Sequence, residues 1–239
     1  DIFGKKSCKE TSSRVKEKYQ IETGTDNLMA VKKSEIIILT VEPQLIEKVL
    51  EQLKPALNKN KIIVSVIAAI STSFIEDQLK EPVPVIRAMT NTASLINEGM
   101  TVLCSGSFVE KEQLELILKI FQAIGRVEII YKENLMDAVT ALAGGGPAYS
   151  YTMIESLTDG GVRMGLPRKL ARILAAQSVL GGAKMILHTG MHPAVLKDEI
   201  TTPAGVTVDG LMELEDGKFR ASLIRAIEKA TKKSRKISR

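Results

Sequence analysis

The sequence predicts an α/β half followed by an all-helical half, divided between residues 132 and 133. Two observations carry this prediction. Through residues 1–132, β-branched runs such as EIIILTV at 35–41 and KIIVSVI at 61–67 alternate with amphipathic stretches of helical period, the pattern of parallel strands joined by crossover helices. From residue 133 onward such runs stop. Apolar residues there recur every three or four positions behind Pro147, Pro167 and Pro193, each suited to open a helix at its first position.

Taken in order, residues 7–19 are charged and helical in character, and 20–25 form a short strand and turn. Asp26 or Asn27 caps a short helix reaching residue 32. The run at 35–41 reads as a strand buried on both faces and ended by Pro43, after which 44–53 form a helix with Leu45, Val49 and Leu53 on one face. Further strands are expected at 61–67, 83–89, 100–105 and 126–131, with helices at 72–79 and 110–124. In the last of these, Leu114, Ile117, Leu118 and Phe121 keep the helical period. The result is an open, mostly parallel sheet with helices on both faces.

The second half reads as helices at 134–142, 147–164, 167–188, 193–200, 208–215 and 219–237. Paired glycines at 160–161 and 181–182 lower helix propensity, and close helix packing would explain them. The wide apolar stripe of Ile173, Ala176, Val179, Leu180, Ala183, Ile186 and Leu187 predicts a homodimer formed through this half.

Composition narrows the function classes. With 239 residues and 44% hydrophobic content, the chain can bury a core and hold two domains. A net charge of only +5, 4% aromatic residues and no Trp argue against a base-stacking nucleic-acid binder. The basic C-terminal KKSRK reads as a solvated helix end. Cys8 and Cys104 lack the spacing of a disulfide framework or zinc site, which fits a reducing cytoplasm. No apolar run reaches the ~20 residues of a membrane helix, so no membrane partner is expected. The chain opens on Asp1 rather than Met, as a fragment would.

His188 and His192 stand four apart, but Gly190 and Pro193 interrupt the helix and no third ligand is spaced to join them, so no metal site is expected. Glu155 and Asp159 share a helix face and read as solvated or capping acids. With no Ser/His/Asp or Cys/His arrangement, the sequence favours a chemistry without a strong nucleophile. The stretch TTPAGVT at 201–207 places hydroxyls, a rigid Pro and a Gly before an amphipathic run starting at Val208. Free backbone N–H groups at that helix start suit a small anion. In the α/β half, ligands are expected beyond the carboxyl ends of the strands, at 40–44, 67–69 and 89–93. No GxGxxG turn occurs anywhere, and the GGG at 144–146 follows a helical stretch rather than a strand.

The blocks MTNTASLINEGMTVLCSG, DAVTALAGGGPAYSY, DGGVRMGLPRKLA, AAQSVLGGAKMIL and DEITTPAGVTVDGLMELE resemble the pyrroline-5-carboxylate reductase family over essentially the whole chain. Thr201, Thr202, Gly205, Thr207, Gly210 and Leu211 match its most specific block. The resemblance implies a truncated Rossmann-like NAD(P)-binding domain lacking its first strand–turn–helix, followed by a helical dimerisation and substrate-binding domain. It implies hydride transfer from NADPH or NADH to L-1-pyrroline-5-carboxylate, giving L-proline.

By the same resemblance, Thr201, Thr202, Gly205, Val206 and Thr207 bind substrate. The carboxylate would sit on the N–H groups of Val206 and Thr207, and the Thr207 hydroxyl would be the catalytic group at the ring nitrogen. The cofactor would touch Asn27, Val41, Glu42, Pro43, Ile67, Ala68, Ala69, Met89, Asn91 and Thr92, with Lys5, Lys6 or Ser7 at a ribose phosphate. Glu42, Ala69, Ala93, Ala143 and Gly145 depart from the family pattern, Glu42 by a negative charge where Lys is usual. The implied assembly is a homodimer, with association of dimers into rings left open. The alternative function is a non-catalytic oligomerising or regulatory relative that cannot hold the dinucleotide. An NADP-dependent 3-hydroxyacid dehydrogenase is disfavoured, because no catalytic Lys stands in a comparable helical motif.

Overall fold

The computed structural model describes residues 2–5 and 9–238 and divides the chain into two compact units. One comprises Asp1–Gly144 and Thr231–Arg239, the other Gly145–Ala230. The expected division at 132/133 therefore lies upstream of the packing boundary, because 133–144 pack with the strands. The C-terminal turns return to the same unit.

In the first unit, β1 (Phe3–Lys5), α1 (Lys9–Tyr19), β2 (Glu22–Gly24) and α2 (Asn27–Lys33) precede β3 (Ile36–Leu39). The Asp26 carboxylate caps α2 by accepting from the N–H groups of Leu28 and Met29. Next come α3 (Ile46–Leu53), β4 (Ile62–Ser65), α4 (Thr72–Gln78), β5 (Val85–Met89), β6 (Gly99–Ser105), α5 (Lys111–Gln122), β7 (Gly125–Ile130) and α6 (Met136–Val139). Strands β3, β4, β5, β6 and β7 form one sheet in chain order. It is parallel except where β6 runs antiparallel to β5.

The period-two alternation of these strands builds a core on each face. Ile63 and Val85 join Ile46, Leu50, Leu53 and Ile75 on one side. Ile62, Val64, Ile86 and Ala88 meet Ile117 and Phe121 of α5 on the other. All four residues of β4 are buried, which is why KIIVSVI carries apolar side chains at nearly every position.

Three readings need correction. Strand β3 is not buried on both faces: Ile38 is 48% exposed, because β3 ends the five-stranded sheet. Strands β1 and β2 form a separate parallel pair, so the single expected sheet is in two pieces among the described residues. Unpaired edges of β1 and β3 both border a cavity of about 230 Å³. Helix α3 buries Ile46, Leu50 and Leu53 rather than a Leu45 face, because Pro43–Leu45 winds as a 3-10 turn and shifts the helical period.

The second unit contains α7 (Gly146–Arg163), α8 (Arg168–Thr189), α9 (Pro193–Glu199), α10 (Val206–Asp216) and the first turns of α11 (Phe219–Ile237). Pro193 opens α9, Pro147 is the second residue of α7, and Pro167 sits just outside α8. Helices α7 and α8 pack through Thr158, Ala171 and Ala175. A Cβ on Gly161 would stand 3.1 Å from the Ala171 Cβ. Close packing therefore explains Gly161, whereas Gly160, Gly181 and Gly182 face open space within the chain.

Contrary to the expectation from uninterrupted runs, α8 is long and apolar enough to cross a membrane by length and composition. Gln177, Ser178 and Lys184 break its run without making the helix polar on average. Its apolar surface is largely uncovered in the single chain, with Ile173 55% and Leu187 63% exposed.

Two sites in the first unit yield tests. Gly99 and Gly125 are paired where β6 and β7 begin, and Gly125 has φ +147°, with an added Cβ 2.1 Å from the Gly99 carbonyl oxygen. Gly125→Ala is expected to destabilise the fold by about 3 kcal/mol or more, read as a lowered urea midpoint. Cys104 is buried on β6. Burial, then the Glu133 carboxylate, push its thiol from the ordinary 9.0 to about 11 against the opposing pull of Arg87. The thiol therefore stays protonated at neutral pH and titrates only near 11. Iodoacetamide is expected to label Cys104 in denaturant and to spare it in the folded chain, as peptide mass mapping would show.

Candidate active site

The parallel strands β3, β4 and β5 bring three expected cofactor segments to one sheet edge, since each continues past a carboxyl end. Val41, Glu42 and Pro43 follow β3; Ile67, Ala68 and Ala69 follow β4; Met89, Asn91 and Thr92 lie at and after the end of β5. Their side chains are not equally available. Ile67 and Ala69 are buried, leaving Ala68 exposed between them. Ala69 has φ +65°, a left-handed conformation that disfavours any side chain with a Cβ. Ile67 and Ala69 can thus offer a ligand only backbone.

Lys5, Asn27 and Val41 line the cavity between β1 and β3. Thr40 joins them there, a polar neighbour that the sequence reading passed over although it lies inside the expected 40–44 segment. The Asn27 side chain donates to Gln52, and the exposed Glu42 accepts from Gln44 at 2.6 Å. Lys6 and Ser7 lie outside the described residues.

Asn91 is held largely by its own fold. Its Oδ1 accepts from the N–H groups of Ala93 and Met100 at 3.2 and 3.4 Å, and its Nδ2 donates to the Ala143 carbonyl at 3.0 Å. Nearby, Glu133 accepts from Arg87, from the Thr72 N–H at 2.9 Å and from the Thr72 hydroxyl at 2.7 Å. That half-buried group fixes the start of α4 just beyond the 67–69 segment. Sequence spacing gave no sign of it, because its members are 46 and 61 residues apart.

The loop leading into α10 belongs to the second unit. The Gly205 N–H donates to the Thr202 carbonyl at 3.0 Å, closing a turn with Pro203 and Ala204 at its corner. Ala204 has φ +56°, a position where such a turn favours Gly or Asn. A Cβ on Gly205 would stand 2.5 Å from the Thr202 Oγ1, so that close approach calls for glycine. The Thr201 hydroxyl turns back to the Lys197 carbonyl at 2.7 Å.

Helix α10 begins at Val206 rather than at the expected Val208, because Gly205 takes the N-cap position with extended backbone. Val206 and Thr207 are therefore its first residues. Among the described residues, no hydrogen bond occupies their N–H groups or the Thr207 hydroxyl, while the Val208 N–H already donates to the Gly205 carbonyl. Two free donors and a hydroxyl at a helix N-terminus suit a carboxylate attached to a second polar atom.

His192 acts as a helix cap, its Nδ1 accepting from the Ala194 N–H at 3.2 Å. Asp159 pairs with Arg168 at 2.7 Å. Among the described residues, no group of three or more His, Cys, Asp or Glu side chains is placed to hold a metal ion.

A family model described as pyrroline-5-carboxylate reductase dimerisation matches residues 133–237, and one described as NADP oxidoreductase, coenzyme F420-dependent, matches residues 1–69. The pyrroline-5-carboxylate reductase of Methanosarcina acetivorans is 41% identical over 222 residues, covering 93% of this chain and 82% of that protein. Among solved structures, the Coxiella burnetii pyrroline-5-carboxylate reductase superposes with a TM-score of 0.92 at 30% identity, covering 100% of this chain and 88% of that one. The Plasmodium falciparum pyrroline carboxylate reductase with NADP bound gives 0.86 at 30% identity, covering 99% and 86%. Identity at this level across nearly the whole length, carried on the same architecture, makes this chain a member of the pyrroline-5-carboxylate reductase family.

Proposed function

We propose that the chain reduces L-1-pyrroline-5-carboxylate to L-proline with NAD(P)H, the last step of proline biosynthesis, and that the loop before α10 is its substrate site. The observation that carries this reading is the pair of free N–H groups at Val206 and Thr207 beside an unengaged Thr207 hydroxyl. The substrate carboxylate accepts from the two N–H groups and is favoured by the helix dipole. The turn at 202–205 holds those donors in place, with Thr201 and Thr202 shaping its approach. The Thr207 hydroxyl hydrogen-bonds the ring nitrogen, fixes the plane of the imine and serves as the proton relay to that nitrogen. A protonated imine is already electrophilic at carbon, so the reaction calls for no nucleophilic side chain.

NAD(P)H, when bound, supplies the hydride. The residues fit the dinucleotide in part: Lys5, Asn27, Val41, Glu42 and Pro43, the backbone of Ile67, Ala68 and Ala69, and the loop containing Met89, Asn91 and Thr92 would hold it at the carboxyl edge of the sheet. The 239 residues contain no glycine-rich turn to seat its pyrophosphate. In this reading residues 1–132 are the nucleotide domain and 133–239 the dimerisation and substrate domain, with 133–144 and 231–239 of the latter packed in the first compact unit. The exposed apolar stripe of α8 is the face that a second copy covers. A reducing cytoplasm suits the free thiol of Cys104.

Thr207→Ala is expected to lower kcat about 100-fold, measured as substrate-dependent NADPH oxidation at millimolar NADPH; unchanged turnover would remove Thr207 from the mechanism. The 239-residue chain is expected to bind NADPH weakly, with a Kd around 1 mM. Submicromolar binding by calorimetry would contradict this, and a chain that binds NADPH yet never oxidises it would favour the non-catalytic relative.

A further inference from the structure

Two residues at the end of β5 and just after it, Met89 and Asn91, are fastened to one short segment before α7. Residues Thr140–Gly144 wind as a π-helical turn directly after α6. The Asn91 Nδ2 donates to the Ala143 carbonyl in that turn at 3.0 Å. Met89 reaches the same turn: a Cβ on Gly144 would lie 2.4 Å from the Met89 Cε. Thr90, between them, accepts from the Thr101 hydroxyl at 3.0 Å. Asn91 also caps its own 3-10 turn and receives the Met100 N–H.

The arrangement is economical in a telling way. Both acceptor positions of the Asn91 amide oxygen serve local N–H groups, and one amide hydrogen is spent on a carbonyl 52 residues away. An Asp would keep the two acceptors and lose the distant link. Gly144 has no Cβ, which leaves room for Met89. The turn they grip is the last stretch of the first unit before the chain enters the second at Gly145. Its upstream neighbour Asp137 accepts from Ser234 and Ser238 at 2.6 and 2.9 Å, so the returning end of α11 is held on α6 as well. A π-turn of this kind is uncommon and found often at functional sites.

We propose that Asn91, with Met89 seated on Gly144, is a positioning residue: it ties the loop that meets the cofactor to the π-helical turn, so that a nucleotide held by residues 89–93 also orders residues 140–144. This rests on the assignment of that loop to the dinucleotide. Asn91 then acts on the reaction through the loop's placement rather than by its side chain touching the cofactor.

Hydrogen–deuterium exchange on the 239-residue chain, with and without NADPH at several times its measured Kd, tests the proposal. In Asn91→Asp, the amides of Ala93 and Met100 should exchange as in the wild type, whereas those of 140–144 should exchange about tenfold faster, the effect of one lost hydrogen bond. NADPH should slow exchange at 67–69, 89–93 and 140–144 in the wild type, but only at the first two segments in Asn91→Asp. Gly144→Ala should speed exchange at 89–93 by displacing Met89, and Met89→Ala in the same chain should restore it. This second pair keeps the test open if Asn91→Asp fails to fold.

Unchanged exchange at 140–144 in Asn91→Asp, or equal NADPH protection there with and without the amide, overturns the proposal. NADPH protection at 67–69 that never reaches 140–144 in the wild type overturns it while leaving the cofactor assignment intact. Protection at none of the three segments overturns both.

Discussion

Strand β4 has no exposed face, and the five-stranded sheet and its two covering cores are built around that burial. A strand in this position must have its backbone groups satisfied by neighbouring strands and both rows of side chains covered by helices. Strands β3 and β5 supply the first, and two separate apolar clusters the second. Because β3, β4 and β5 are mutually parallel, the segments that leave them emerge at one edge. That the segments proposed to meet the cofactor gather at one edge is a consequence of that parallel packing rather than of any one motif.

The same logic exposes where the nucleotide unit is least complete among the described residues. Strands β1 and β3 each pair on one side only, and the cavity between them is bordered by Phe3, Gly4, Ile37 and Ile38. Half of Ile38 meets solvent at a position whose composition belongs to a buried strand. Lys5, Asn27 and Val41 gather at this cavity. Three of the residues proposed to meet the nucleotide therefore border the place where the sheet is interrupted.

The loop proposed to hold the substrate rests on a different constraint. At the start of α10 the chain turns through Pro203 and Ala204, with Ala204 held left-handed. This conformation costs about 1 kcal/mol for a residue with a Cβ. The bond from the Gly205 N–H to the Thr202 carbonyl, and the close contact of Thr202 with Gly205, hold the turn nonetheless. Its effect is to start the helix at Val206, leaving the N–H groups of Val206 and Thr207 without a partner among the described residues.

The sequence alone determined features that depend on neighbours in the chain. Runs of β-branched residues located the strands of the five-stranded sheet though not β1, the period of Ile117 and Phe121 located the covering face of α5, and Asp26 or Asn27 marked the start of α2, with Asp26 the cap in the fold. The block at 201–207 announced a turn and a helix start because turn and cap chemistry is local, although the helix begins at Val206 rather than Val208. Tertiary structure decided what local pattern cannot encode. It made β3 a sheet edge, which depends on which strand lies beside it. It joined Glu133 to Thr72 and Arg87, and Asn91 to Ala143, by hydrogen bonds that span 46 to 61 residues of chain and leave no periodic trace. It also gave the Asn91 amide oxygen and one of its two amide hydrogens partners within the fold, because a polar side chain in sequence carries no record of which donors and acceptors packing will bring to it.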